Sequence, residues 1–315
     1  MRVFSSLDTV ALDRSQAVTI GSFDGVHRGH RYLLEQTAAQ AKSMGAEVTV
    51  VTFWPPPITV LDPSKTVSCL MVNEEKLAAL AATGLVDQVI VLPFTHTLAA
   101  LSASDFITQL RAHMPLVALV EGDDFKLGHN REGTMDWLSA YGAPHGIVVR
   151  RIVRRVDGDR PISSTRIRGA LEAGDVVTAR ELLGHPYAMA GEVIHGDARG
   201  RELGYPTANM RIDVNKLIPA HGIYAVWGWR ASSPQTVWKG AASIGVRPVF
   251  NGVERRVEVF FLDMSEILYG ETLCIEFVQQ LREESNFPTV AALVTQMGHD
   301  VAQVRTILER QGNEG

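Results

Sequence analysis

Along the first half of the chain, short apolar runs alternate with stretches whose apolar residues recur every three or four positions. Ala17–Ile20 reads as a buried strand and His30–Met44 as a helix, with Gly45 placed to end it. Glu47–Phe53 is a second strand, stopped by Pro55, Pro56 and Pro57. Asn73 is the expected N-cap of a helix over Glu74–Thr83, and Val86–Leu92 is strand-like. Ser102 and Asp105 have capping-box spacing before a helix over Phe106–His113. Leu116–Val120 and Ile147–Val153 are further strands, with Met135–Tyr141 helical between them. Strands alternating with amphipathic helices predict a parallel sheet covered on both faces, a doubly wound α/β domain.

The texture changes after about residue 186. Ala188–His195, Gly222–Trp229, Thr236–Ile244, Arg255–Leu262 and Glu271–Val278 read as successive strands parted by glycine- or proline-marked turns. A helix follows over Thr289–Gln311, with a break expected near Gly298. This pattern predicts an antiparallel barrel or sandwich closed by a C-terminal helix. The expected domains are therefore 1–186 and 187–315, a division that suits a length of 315 residues. The sequence shows no internal repeat and no low-complexity tract.

Composition narrows the function classes. Net charge is −5, with 18 basic and 20 acidic residues before Pro186 and 12 and 15 from there on. Neither half is a polyanion binder by bulk charge, so no nucleic-acid partner is expected and phosphate chemistry must come from local sites. Two cysteines, Cys69 and Cys274, lie far apart, which excludes a disulfide framework or a zinc ribbon. The first residues lack an apolar signal segment, and no apolar run is long enough to span a bilayer. A cytoplasmic protein with no membrane partner is expected. Self-association is left open.

The first strand runs directly into Gly21-Ser22-Phe23-Asp24-Gly25-Val26-His27-Arg28-Gly29-His30. Glycines at a strand-to-helix turn let backbone approach a ligand, and the helix N-terminus offers N–H groups to an anion. His27 and His30, three apart, lie on one face and can both donate to phosphate oxygens. A bare His-x-x-His is equally half of a metal site or a pair of surface histidines. Ser163, Ser164 and Thr165 are good N-cap residues for a helix carrying Arg166 and Arg168, where hydroxyls, N–H groups and a guanidinium converge on an anion.

The decapeptide resembles the G-x-F-D-G-x-H-x-G-H signature of nucleotidyltransferases related to class I aminoacyl-tRNA synthetases. It is most similar to the FAD synthetase module of bacterial bifunctional riboflavin kinase/FMN adenylyltransferases. Gly122-Asp123-Asp124-Phe125-Lys126-Leu127-Gly128 is similar to that family's G-x-D-F-x-F-G loop, and Ile162-Ser163-Ser164-Thr165-Arg166-Ile167-Arg168 to its I-S-S-T-x-I-R motif. The resemblance implies a Rossmann-like nucleotidyltransferase domain. It implies ATP and phosphate contacts from Gly21, Phe23, Asp24, Gly25, Asp124, Ser163, Ser164 and Thr165, and catalytic roles for His27, His30 and Arg168. One departure stands out. Where the family has F-x-P-H-P, this chain has Phe53-Trp54-Pro55-Pro56-Pro57, so Pro56 replaces a histidine.

In the second half, Gly200-Arg201-Glu202-Leu203-Gly204-Tyr205-Pro206-Thr207-Ala208-Asn209 resembles the G-x-x-L-G-x-P-T-A-N segment of riboflavin kinases. Oxygens of Thr207 and Asn209, two apart in an extended segment, suit Mg²⁺ shared with ATP phosphates. Leu217–Tyr224 matches L-x-P-x-x-G-V-Y, and Ser243–Phe250 approximates N-I-G-x-R-P-T-F with Ser243 and Val249 as departures. Leu281-Arg282-Glu283 also falls in place. Glu258 lies where the family has E-V-H, followed by Phe260 in place of histidine, and is the implied base for the ribityl hydroxyl. The resemblance implies a riboflavin-kinase-like barrel in which Gly204, Pro206, Thr207, Asn209 and Arg282 bind ATP or flavin, with Thr207 and Asn209 as metal ligands. Trp227, Trp229 and Trp238 read either as barrel core or as a stacking surface for a flavin.

The implied activity is phosphorylation of riboflavin to FMN and adenylylation of FMN to FAD with release of pyrophosphate. ATP and riboflavin are small-molecule substrates, FMN and FAD products, and Mg²⁺ the cofactor. A paralogue with an altered or lost N-terminal reaction, and a non-catalytic flavin or nucleotide sensor, are the alternatives. Intact His27, His30, Thr207, Asn209 and Glu258 weigh against the sensor, while Pro56 bears on the paralogue.

Overall fold

The computed structural model describes all residues except 63, 65–67, 197–198, 250–251 and 313–315, and the backbone alone at 199, 247–249, 252–254 and 312. Two compact units divide the chain, Met1–Ser164 and Thr165–Gly315.

The first unit is a six-stranded sheet. Its strands are β1 (Arg2–Phe4), β2 (Gln16–Ile20), β3 (Glu47–Trp54), β4 (Gln88–Pro93), β5 (Leu116–Gly122) and β6 (Val148–Ile152), in spatial order β1-β4-β3-β2-β5-β6. Every neighbouring pair is parallel. The main helices are α1 (Arg28–Met44), α2 (Asn73–Ala82), α3 (Ala103–His113) and α4 (Met135–Gly142). Alternation along the strands sends residues to opposite faces. Val51, Ile90 and Leu119 pack with Phe106, Ile107, Leu110 and Leu138 of α3 and α4, whereas Val50, Val89 and Val91 pack with Leu34 of α1 and Leu80 of α2. The sheet is covered on both sides, as the alternating pattern predicts.

Local signals hold with small shifts. Gly45 closes α1 at φ 62°, a left-handed conformation that suits glycine. Ser102 accepts the Asp105 N–H at 3.0 Å, so α3 starts one residue later, three before the expected Phe106. Asn73 is the first helical residue of α2 rather than its cap. The cap is Val72, whose N–H is bonded by Glu75 at 3.1 Å.

The second unit begins with two helices, α5 (Ser164–Glu172) and α6 (Val176–Leu183). Six strands follow: β7 (Tyr187–Ile194), β8 (Ala208–Ile212), β9 (Gly222–Arg230), β10 (Ser233–Val249), β11 (Gly252–Phe261) and β12 (Thr272–Arg282). They close an antiparallel barrel in the order β7-β8-β11-β10-β9-β12. The second compact unit, which starts at Thr165, takes in α5 and α6, which the expected division at 186/187 leaves with the sheet. The Leu171 carbonyl accepts the Ala220 N–H, and α6 packs on β7 and β12, which ties both helices to the barrel. Tyr224 and Phe277, edge to face at 5.3 Å, fill the barrel interior with Val226 and Phe261. The last helix, α7 (Val290–Gly312), lays Val304 and Leu308 over Ala225, Leu262 and Val278 on the barrel's outer side. It runs through Gly298 without the expected break. Trp227 packs against this cluster and Trp238 against Phe261, which supports their reading as structural residues.

Candidate active sites

β2 delivers the chain into Gly21–His27 at the carboxyl edge of the sheet, beside the point where strand order turns from β3 on one side of β2 to β5 on the other. Open parallel sheets take ligands at such crevices. Phe23, Gly25 and Val26 hold positive φ angles of 49°, 87° and 37°. A β-branched residue there is strained, and Phe23 and Val26 are kept in place by burial in the cluster of Leu34 and Leu80.

His27 caps α1. Its Nδ1 accepts the His30 N–H at 3.2 Å, which assigns its proton to Nε2. The two imidazoles stack with centroids 3.7 Å apart. A Cβ added at Gly29 would press on the His27 ring at 3.1 Å, so glycine leaves room for that ring, while the Ile162 carbonyl of the 162–164 segment would lie at ordinary contact distance, 3.6 Å. Ser164 follows on that segment and donates to the Asp24 carbonyl at 2.8 Å. Burial, His27 and Lys76 hold the His30 imidazole well below its usual value of 6.5. Its Nδ1 is buried with no hydrogen-bond partner. The His30 ring is thereby held neutral, stacked beside the His27 ring at the crevice.

The other predicted residues fare differently. Asp24 turns its carboxylate inward, where the N–H groups of Leu70 and Met71 donate at 3.1 and 3.0 Å. It therefore anchors the segment before α2. Gly21 closes on the Phe23 ring, 3.3 Å from an added Cβ. Asp124 is exposed and paired with Arg154 at 2.9 Å, while the same guanidinium takes Asp123 at 3.0 Å. Ser163 is half-buried and Thr165 exposed at the start of α5, and Arg168 lies one turn along that helix from Ser164. Pro56 opens a short helix over Pro57–Leu61.

Sequence reasoning missed Lys76. Only 3% exposed, it donates to Thr52 Oγ1 at 3.0 Å and to the Phe53 carbonyl at 3.1 Å, at the end of β3. The signal was its place one turn before buried Leu80, on the apolar face of α2.

The barrel unit assembles its site by register. Asn209 of β8 pairs with Glu258 of β11, and Glu258 pairs with Ser243 of β10, so three polar side chains form a row across adjacent strands. Thr207 Oγ1 donates to Glu258 Oε2 at 3.1 Å, and Arg256 lies 3.4 Å from Oε1. This row lies outside the barrel wall, since the flanking Val257 and Val259 are buried inward. Above it is a cavity of about 250 Å³, lined by Tyr205, Thr207, Ser243, Glu258 and Phe260 on the barrel side and by Leu293 and Met297 of α7. Tyr205 and Phe260 meet edge to face at 5.3 Å, an aromatic corner for a flat ring system.

Gly204 holds φ 85° in the turn before Tyr205 and, like Pro206, is exposed; they flank the lining residues. An added Cβ at Gly200 would collide with the Tyr205 carbonyl, whose N–H donates back to Gly200 at 2.8 Å. Arg282 lines the cavity, yet its Nε and one terminal nitrogen bond Asp300 of α7 at 3.0 and 2.7 Å. It therefore fixes the helix to the barrel rim. Phe250 lies outside the described residues, as does the Val249 side chain.

The FAD synthetase family model matches residues 10–166, and the riboflavin kinase model residues 183–308. Bifunctional riboflavin kinase/FMN adenylyltransferases from Escherichia coli K12, Pseudomonas fluorescens and Bacillus subtilis are 36%, 37% and 34% identical to this chain. They cover 91%, 93% and 90% of it, and the matches span 91%, 93% and 89% of their own lengths. A solved chain from Streptococcus pneumoniae, named a macrolide-efflux protein, superposes with TM-score 0.87 at 30% identity, over 96% of this chain and 98% of its own. Among the described residues here, no helix is long and apolar enough to cross a membrane.

Proposed function

The chain belongs to the family of bifunctional riboflavin kinase/FMN adenylyltransferases, and from that premise we propose that it phosphorylates riboflavin and adenylylates the FMN formed. The observation that carries this reading is the similarity to relatives bearing both activities, 36% over 91% of each chain, so that each unit brings its own site.

In the barrel unit, the primary hydroxyl of the ribityl chain attacks the γ-phosphorus of ATP. Its proton passes to Glu258, the bond to the β,γ-bridging oxygen breaks, and ADP leaves. Glu258 is oriented for this by the Thr207 hydroxyl and the Arg256 guanidinium, each on a different carboxylate oxygen. Positioning and charge neutralisation supply most of the remaining catalysis. Thr207 and Asn209, beside Glu258, form an all-oxygen donor set of the hard kind that fits Mg²⁺, and they would hold it. When bound, the ion neutralises phosphate charge. Tyr205, Phe260 and Met297 supply the apolar walls for the isoalloxazine.

In the sheet unit, a phosphate oxygen of FMN attacks the α-phosphorus of a second ATP, and pyrophosphate leaves with the electrons of the α,β-bridging bond. His27 Nε2–H and the neutral imidazole of His30 donate to the phosphates as charge moves outward. Gly21 and Gly25 let the backbone approach. Ser163 and Ser164 add hydroxyl and N–H donors. Phe23 and Asp24 shape the loop rather than touch phosphate.

Incubation with riboflavin, ATP and Mg²⁺, with flavins separated by chromatography, tests both steps. FMN followed by FAD is expected. FMN that accumulates without FAD would refute the second activity, and unchanged riboflavin would refute the first.

A further inference from the structure

Lys76 occupies the face of α2 that packs on the sheet, where a lysine is costly. Its ammonium is fixed under the carboxyl end of β3 by Thr52 Oγ1 and the Phe53 carbonyl, 5.9 Å from the centre of the Trp54 ring. The titratable groups that face it come from three other segments. Asp24 lies in the loop before α1, His30 on α1, and Cys69 ahead of α2. All converge on the crevice at the end of β2, where the His27 and His30 rings stack and the Nδ1 of His30 lacks a partner. A polyphosphate carries several negative charges, and the buried His30 ring is held well below its usual pKa of 6.5. The nearest buried cation is Lys76.

We propose that Lys76 is a positioning residue of the adenylyltransferase site, whose ammonium supplies the fixed positive charge behind the stacked His27/His30 pair. This rests on the adenylyltransferase reading above. Lys76 reaches substrate through its field and through the strand end it holds. Burial brings its pKa down to about 8, against the pull of Asp24 and Cys69. The charge is therefore present at neutral pH and is lost as pH rises through the range just above. A bound polyanion favours the protonated form, so ATP binding should take up a proton on the alkaline side.

FAD formation from FMN and ATP by the full chain isolates this site, because the kinase does not act on FMN. In the wild type, KM for ATP should rise up to about tenfold per pH unit above the lysine's pKa, the limit for one linked proton. Lys76→Met should raise KM at neutral pH by about tenfold or more and remove the alkaline rise. Lys76→Arg, protonated throughout, should keep a low KM and also lose the rise. Thermal unfolding reports folding of the sheet unit in each variant, and FMN formation from riboflavin reports an intact barrel unit. If Lys76→Met destroys folding, the alkaline limb of Lys76→Arg carries the test. A Lys76→Met enzyme with the wild-type KM and pH profile would overturn the proposal, as would an unchanged alkaline rise in Lys76→Arg. A second readout needs no turnover. NMR titration of the His30 imidazole should move up in Lys76→Met, because burial and His27 still depress it but the Lys76 cation no longer does, and a static titration would overturn the coupling. A wild type that makes no FAD from FMN counts against the adenylyltransferase reading, and the His30 titration still judges Lys76.

Discussion

Glu258→Gln removes one ionisable group from the barrel site at almost constant volume. In the wild type Oε2 accepts from Thr207 at 3.1 Å, and Oε1 faces Arg256 at 3.4 Å. A glutamine can keep the Thr207 bond through its amide oxygen, while its NH₂ group turns toward the guanidinium. The side chains of Arg256 and Glu258 are 24% and 29% exposed, so the lost ion pair costs the fold no more than about 1 kcal/mol. Chemistry should suffer far more. Loss of a general base costs roughly 10²–10⁴-fold, about 3–5 kcal/mol of transition-state stabilisation. The assay is FMN formation at saturating riboflavin and ATP, beside thermal unfolding of the same preparation. The expected result is a kcat lower by at least two orders of magnitude, near-wild-type unfolding and a KM for ATP changed only slightly. A kcat within about threefold of wild type would refute the base assignment. A collapse of folding would instead show the row to be structural.

His30→Ala should reduce FAD formation from FMN by roughly 10²–10³-fold, the worth of one donor matched to developing charge, and leave FMN formation intact; an equal loss in both reactions would argue for misfolding. Thr207→Val removes a hard oxygen and the hydroxyl on Glu258 together, and should weaken use of Mg·ATP by roughly 10–100-fold, the scale of one hydrogen bond to a charged group. Unchanged magnesium dependence would exclude Thr207 as a ligand. Glu121→Gln should raise the unfolding temperature. Burial lifts the Glu121 pKa well above 4.5 although its Oε1 accepts the Ile20 N–H at 2.7 Å, so the wild type loses stability as pH rises beyond 4.5. The gain should grow from about pH 5 to pH 8, and equal midpoints at pH 8 would reject it.

Much of this could be read in the sequence wherever one short segment carries the signal. The Gly21–His30 loop is contiguous, and strand, turn and helix N-terminus each have local chemistry. The parallel sheet and its burial on both faces followed from alternation, while the order of its strands did not. β1 escaped because three residues carry no period, and β8 because Pro206-Thr207-Ala208-Asn209 looks like a turn until β7 and β11 flank it. The continuous α7 contradicts the glycine signal at Gly298. That glycine faces the Tyr205 hydroxyl at an ordinary contact distance, 3.5 Å from an added Cβ, and the helix passes it unbroken. Glu258 is legible only through family resemblance. Its partners Asn209 and Ser243 join it by the register of three strands that are distant in sequence, and no local pattern encodes a register.

Arg282 shows why residue type and motif position alone misjudge a role. An arginine in a kinase motif invites a phosphate contact, and the side chain does line the cavity. Its fork is occupied by Asp300, 4% exposed and also bonded by Gln296 at 2.8 Å. Asp300 is buried, so loss of the guanidinium would leave its carboxylate without its cation. A phosphate would have to displace Asp300 to claim the guanidinium, against a carboxylate already desolvated and held on a helix. Arg282 is better placed to keep α7 on the rim, where Leu293 and Met297 complete the apolar wall over Glu258. The sheet unit divides its labour in a comparable way. Asp24 and Lys76 are buried charges that set loop and strand ends, and the stacked imidazoles are left facing the crevice. In both units the buried ions position the machinery.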